Sequence, residues 1–270
     1  MRYAVNLPNL GALADPRSAV RVAVAAEEAG WDGVFVWDHI LGWDGAEVGD
    51  AWVILAAMAR ATADIRLGPM VTPLPRRRPW VLARQAVTLD QLSNGRLTCG
   101  VGLGTPPETE FARFGEEAEA RLRAAKLDEG LDILVGMWAG APFDYKGEHY
   151  RIEKETRFLP VPKQRPRIPI WVAGTIGIRA PMRRSARFEG YFPVTPEGST
   201  PDPDQVARAV AFLSEVRSGD GSFDVTVAGP PPDDPDAYAE AGVTWYQVGP
   251  RPDGETVEET LSWVQAGPPG

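Results

Sequence analysis

Asp38 and His39 stand side by side where a continuous apolar run, residues 33–37, comes to its end. An imidazole titrates near neutrality and can pass a proton in either direction. Set after a buried strand and beside a carboxylate, His39 reads as an acid–base group. The residues leave Asp38 three tasks: orienting His39, meeting the polar edge of a ligand, or capping the turn that follows. Trp43, four residues beyond His39, would wall the same pocket or pack its own loop. The second histidine, His149, falls in a hairpin-like stretch and reads as incidental.

Glycines gather at two further points. Gly100, Gly102 and Gly104 interrupt a short apolar strand, and Gly174-Thr175-Ile176-Gly177 precedes a helix. Free N–H groups at a helix start favour a phosphate. The first cluster is no dinucleotide fingerprint, because its third glycine comes one position early and prolines follow where a helix should begin. Two histidines and one cysteine leave no zinc cluster, so no metal site is expected. No G-x-S-x-G nucleophile elbow occurs. Glu108 and Glu110 have the chemistry of acids but read as an exposed acidic loop, and Arg76 to Arg78 as a solvated basic one.

These residues need elements to hold them. Residues 65–71 form an apolar strand, a proline-rich turn follows, and 79–92 carry a helical apolar period with Pro79 in the first turn. Asn94-Gly95 ends that helix, and a second strand runs over 97–101. Strand, crossover helix and strand make a right-handed parallel unit. The same unit recurs. Strands are expected at 3–7, 33–37, 170–173, 190–194, 224–228 and 245–248. Helices are expected at 16–29, 52–63, 117–138, 178–187, 203–216, 235–241 and 256–264. Residues 139–169 break the rhythm with a hairpin and an extended proline-rich run. Eight repeats and one insertion between helix four and strand five predict an α/β protein, a closed (β/α)8 TIM barrel in one domain over 1–270.

In such a barrel the strand ends share one mouth. Asn6, Asp38-His39, Thr72, Gly102 to Thr105, Trp171 with Gly174-Thr175, Tyr191 to Val194, Gly229 and Gly249 would surround it. The set is rich in glycine and aromatics and poor in carboxylates, which suits a large planar cofactor better than hydrolysis.

Bulk composition narrows the partners. The 270 residues carry a net charge of −9, against nucleic acid and anionic membranes, which need a basic surface. No apolar run is long enough to span a bilayer, and residues 1–7 lack the pattern of a secretion signal, so a cytoplasmic protein is expected. The single cysteine, Cys99, permits no intramolecular disulfide and reads as a core residue.

Several separate motifs occur in a familiar order: AEEAGWDGVFVWDHI (26–40), VTPLPRRRPWVLARQAVTLDQLSNGRL (71–97), GVGLG (100–104) and PVPKQRPRIPIWVAGT (160–175), with FEGYFP (188–193) a looser match. Through them the chain resembles the bacterial luciferase-like flavin oxidoreductases. The resemblance implies a flavin or deazaflavin, FMN or coenzyme F-420, at the barrel mouth, and a homodimer. In members using F-420, a histidine at the end of strand two sits by the reactive ring, and His39 matches it. A non-proline cis peptide after strand three supports the ring, here Pro69–Met70. Phosphate recognition maps to Gly174, Thr175 and Gly177. The acid that follows the strand-four glycines in glucose-6-phosphate-oxidising relatives is Thr105 here, which speaks against a sugar-phosphate dehydrogenase.

The function so implied is hydride transfer between F-420 and a small organic substrate. His39 and Asp38 would be the catalytic pair. Asn6, Asp38, Met70, Thr72 and the Gly102–Gly104 backbone would border the ring, and Trp37, Trp43, Trp171 and Phe192 would keep it dry. Arg76 to Arg78 would meet the anionic tail of F-420. The alternatives are an FMN-dependent monooxygenase in the same pocket and, in another class, a barrel that binds flavin without turnover. A lyase or isomerase would need a lysine or carboxylate at a strand end, and little beyond Asp38 is offered.

Overall fold

A computed structural model describes residues 1–218, 221–249 and 255–269. In chain order the elements are β1 (Arg2–Leu7), α1 (Pro16–Glu28), β2 (Gly33–Val36), α2 (Ala51–Ala61), β3 (Arg66–Pro69), β4 (Thr72–Pro73), α3 (Pro79–Leu92), β5 (Cys99–Gly102), a short α4 (Pro107–Glu110), α5 (Ala120–Trp138), β6 (Phe143–Lys146), β7 (Arg151–Thr156), β8 (Ile170–Thr175), α6 (Arg179–Ser185), β9 (Gly190–Val194), α7 (Pro203–Val216), β10 (Asp224–Gly229), α8 (Pro235–Glu240), β11 (Trp245–Val248) and α9 (Val257–Gln265). The helices start where local chemistry lets them. Asp15 accepts from the Arg17 N–H ahead of α1, Asp50 from Val53 N–H ahead of α2, and Thr256 with Glu259 forms a capping box on α9. Asn94 and Gly95, both at positive φ, end α3.

Nine strand segments pair in the order β3-β2-β1-β11-β10-β9-β8-β5-β4, all in parallel. The two end segments, β3 and β4, are successive pieces of one stretch of chain, so the sheet curls back on itself as a barrel. A further parallel bridge, Leu67 to Leu97, ties β3 to the residues leading into β5 near the bottom. β6 and β7 pair only with each other, as an antiparallel hairpin between α5 and β8.

The strand expected over 65–71 is β3, which ends at Pro69, and a second segment, β4, follows it at Thr72. Met70 N–H still pairs with Val36 O at 2.7 Å, so strand bonding runs through Met70 before it breaks. The cis peptide joins Met70 and Val71, one residue past the expected Pro69–Met70 bond. The helix expected from 117 starts at Ala120, because the Glu119 carboxylate takes up the N–H groups of Arg121 and Leu122.

Strand periodicity sorts the core into two layers. Val5, Leu7, Val34, Val36, Leu67, Val101 and Val172 are buried in the large cluster that includes the helices. Ala4, Phe35, Met70, Trp171 and Trp245 form a separate cluster that fills the barrel. Phe35 lies 5.3 Å from Trp171 and 6.0 Å from Trp245 between ring centroids, and the two indoles are 5.5 Å apart. The Trp171 ring has room because its neighbour on β9 is Gly190; a Cβ there would stand 2.3 Å from Trp171 Cδ1. Trp171 was expected to wall a cofactor. It is instead the second residue of β8, 1% exposed, and period two aims it into the barrel below the mouth. Cys99 is wholly buried, and burial pushes its thiol up to about 12, as suits an inert core residue. Among the described residues no helix is long and apolar enough to cross a membrane.

Candidate active site

β2 pairing with β1 continues to Trp37 N–H, which donates to Leu7 O at 2.9 Å, and the chain then turns out of the sheet at Asp38 and His39. Asp38 is buried, so its charge must be met. Thr72 Oγ1 donates to it at 2.8 Å from β4, and Arg77 Nη2 reaches both carboxylate oxygens at 2.9 and 2.6 Å. Arg76 Nη2 adds bonds of 2.9 Å to the Asp38 carbonyl and 3.3 Å to its carboxylate. Thr72 in turn accepts from Trp52 Nε1 at 2.9 Å.

His39 takes its orientation from elsewhere. Its Nδ1 lies 3.1 Å from Glu110 Oε1, on the last residue of α4. Glu110 is only 1% exposed. Its carboxylate accepts from the Ile40 N–H at 3.2 Å and from Arg76 Nη1. Burial works against its ionisation, but the His39 hydrogen bond, the Arg76 charge and the Ile40 N–H outweigh it and hold the carboxyl below the usual glutamate value. An ionised carboxylate only accepts, so Nδ1 donates to it, and in the neutral imidazole Nε2 is the nitrogen with the lone pair. Nε2 has no hydrogen-bond partner among the described residues, and the side chain is 18% exposed.

Two carboxylates thus face two guanidiniums, with Arg76 shared between them. This corrects four readings of the sequence. Arg76 and Arg77 are no solvated basic loop: the Arg76 side chain is 6% exposed, and both are engaged inside the protein. They do not stand ready for an anionic tail. Glu110 belongs to no exposed acidic loop; the turn Pro107–Glu110 folds it inward. Asp38 does not orient His39, because the Nδ1 partner is Glu110. An acid therefore meets the imidazole although position 105 holds threonine. Asp38 itself carried one signal for the arginines, since a buried carboxylate at a strand end demands a cation.

Indoles stand around the imidazole. Trp43 lies 4.9 Å from the His39 ring and Trp37 5.9 Å, both edge-on. Trp37 Nε1 donates to Asn6 Oδ1 at 3.0 Å, which ties the end of β1 to the same wall. Val71 and Phe192, both half-buried, pack on the aromatic filling of the barrel and close the floor of the mouth. Met70 itself is buried in that filling. Gly102 and Gly104 are at the rim, but the space of their missing side chains is taken: a Cβ on Gly102 would lie 2.8 Å from Val71 Cγ2, and one on Gly104 2.8 Å from both Phe111 and Pro73. Arg123 fixes this loop by donating to the carbonyls of Leu103 and Gly104 at 3.1 and 2.7 Å.

Gly174, Thr175 and Gly177 line the turn from β8 to α6. Tyr191 OH donates to Gly174 O at 3.1 Å, and Gly177, at φ +81°, is exposed with open space above it. Asn6, His39, Val71, Thr72, Phe192 and this turn therefore share one rim, while Trp171 lies below it. An apolar floor, indole walls and a single free imidazole nitrogen fit a planar organic cofactor such as F-420 or FMN.

The chain belongs to the luciferase-like monooxygenase family, whose model matches residues 2–250. It is 35% identical over 162 residues to an F-420-dependent glucose-6-phosphate dehydrogenase of Amycolatopsis mediterranei, covering 58% of this chain and 47% of the relative. A relative of the same name from Microbacterium testaceum is 31% identical over 253 residues, covering 92% of this chain and 69% of the relative. The chain thus spans about half the length of the first of these. Among solved structures, an F-420-dependent secondary alcohol dehydrogenase in complex with an F-420–acetone adduct superposes with a TM-score of 0.80 at 17% identity, covering 98% of this chain and 97% of that one. That likeness speaks for the (β/α)8 barrel fold.

Proposed function

We propose that this member of the luciferase-like family is an oxidoreductase that moves hydride between F-420 and a small alcohol or its carbonyl product. The observation that carries the reading is the His39 imidazole, held by Glu110 at Nδ1 and unpartnered at Nε2. Bound at the mouth, F-420 supplies a ring position that takes up or gives back hydride. In the oxidative direction His39 Nε2 takes the hydroxyl proton of the alcohol as the carbinol hydrogen departs. Glu110 keeps the Nδ1 proton in place and balances the imidazolium charge. Arg76 fixes Glu110 against Asp38. Trp37 and Trp43 exclude water from the imidazole. Asn6 and the Gly102–Gly104 backbone would border the ring, over the floor of Val71 and Phe192, while Asp38 and Thr72, engaged with each other, and Met70, in the aromatic filling, would support that lining from behind. Gly174, Thr175 and Gly177 receive a phosphate.

The names of the two F-420-dependent relatives support the choice of cofactor. The reading extends to a single barrel domain acting as a cytoplasmic homodimer without nucleic-acid or membrane partners. The net charge of −9 supports the last part. Val53, Val81 and Leu92, exposed on the adjoining helices α2 and α3, support a face covered by a second copy.

The test is titration of the purified protein with F-420 and with FMN, followed by ring fluorescence, and then F-420 reduction by 2-propanol and by glucose 6-phosphate. Binding of F-420 in preference to FMN, with reduction by either alcohol, is expected. Preference for FMN would move the function to a flavin monooxygenase. Binding of neither at micromolar concentration would overturn the site.

A further inference from the structure

Asn9 lies just past β1, outside every motif of the sequence, and is wholly buried. Its side chain grips one residue from both sides: Oδ1 accepts from the His39 N–H at 3.1 Å, and Nδ2 donates to the His39 carbonyl at 2.8 Å. The second Nδ2 hydrogen goes to the Gly49 carbonyl at 2.7 Å, and the Asn9 carbonyl accepts from the Gly49 N–H at 2.9 Å. Both ends of the 39–49 loop are thus pinned to one residue. Trp43 rides between the pins. The neighbouring Gly11 N–H to Glu47 O bond and the Leu10–Val48 bridge lay the same stretch along this loop.

We propose that Asn9 is the positioning residue for His39, setting where Nε2 stands over the mouth and keeping Nδ1 against Glu110, the group that fixes the tautomer. This rests on the reading of His39 as the proton acceptor. The chemistry of the amide suits the task, because it is the one uncharged side-chain group that offers two donors and an acceptor in a plane. Glu110 alone cannot fix the imidazole. It holds Nδ1, but the ring also turns about its own backbone, and among the described residues only Asn9 bonds that backbone on both its N–H and its C=O. Removing the amide leaves the His39 N–H, the His39 carbonyl and the Gly49 carbonyl without these bonds in a half-buried place. Aspartate would keep the acceptor and lose both donors, facing two carbonyls with lone pairs alone.

The test uses the full chain with Asn9→Ala and Asn9→Asp, and His39→Ala as a control. The first readout is the nitrogen-15 spectrum of the imidazoles, which reports the tautomer and needs no substrate. The chain has two histidines, and the His39→Ala spectrum assigns them. Expected is a wild-type His39 protonated at Nδ1, and a mixture of tautomers in both Asn9 variants. The second readout is turnover of F-420 with 2-propanol or glucose 6-phosphate. Displacing a reacting group by an ångström costs on the order of a hundredfold, so kcat should fall by about that factor while F-420 affinity stays within about threefold. Folded Asn9 variants with the wild-type tautomer and wild-type kcat would overturn the proposal. If neither variant folds, amide exchange of the wild type decides: a His39 N–H exchanging as fast as an exposed loop amide would overturn it, and strong protection would support it. A fully active His39→Ala would remove the acid–base reading of His39 while leaving the tautomer result to judge the hold of Asn9.

Discussion

His39 and Glu110 are joined through Nδ1 and Oε1 at 3.1 Å across 71 residues of sequence. The loop after β2 supplies the base, and the turn after β5 supplies the carboxylate that fixes its tautomer. Barrel closure brings the two loops to one rim. Arg76, from the loop after β4, completes the contact by touching Glu110 and Asp38 together.

Glu110→Gln should flatten the acid limb of the stability profile. The Glu110 pKa is depressed in the folded state, so its stabilisation is fully present above the unfolded value, about 4.3, and is lost as pH falls through the lower folded value. Wild-type Tm should therefore drop more steeply than that of Glu110→Gln as pH is lowered from 5 to about 3. Thermal unfolding across that window checks it, and parallel curves would show that Glu110 is not held ionised.

Arg76→Met should be far more damaging than Arg78→Met. It leaves two buried carboxylates short of a partner, at a cost of about 3–5 kcal/mol. Arg78 is exposed, and Arg78→Met should stay within about 0.5 kcal/mol. Urea unfolding of both variants measures the difference; equal midpoints would contradict a buried ionic centre.

Trp171→Ala separates a core role from a cofactor role. Loss of the fully buried indole should cost about 3–5 kcal/mol, with F-420 affinity changed by less than about tenfold. The paired measurement is Tm and an F-420 titration. Unchanged stability with lost affinity would return Trp171 to the pocket wall.

The barrel was legible because parallel strands buried on both faces read as short apolar runs, such as residues 33–37, separated by helical periods. Asp38 and His39 were legible because polar residues directly after such a run stand out. The rest of the centre was hidden by its dependence on distance. Read locally, Arg76 to Arg78 make a basic loop and Glu108 with Glu110 an acidic one, each at ease in water. Only folding sets 34 residues' separation to a contact between Arg76 and Glu110, and each loop then removes the other's need for solvent. Asn9 gave no signal at all, since its partners are backbone atoms that any sequence would offer. Trp171 shows the opposite error. Standing close to a strand end in sequence, it still lies a layer below the rim, because a strand advances about 3.3 Å per residue.

The most direct measurement is turnover in His39→Ala beside wild type, with F-420 affinity taken on the same preparations. Loss of a general acid–base group costs about a hundredfold to ten-thousandfold, so F-420 reduction by an alcohol should fall by at least that lower factor while F-420 binding stays within about threefold. Reduction of F-420 by His39→Ala at the wild-type rate would contradict the central claim that Nε2 of His39 receives the proton.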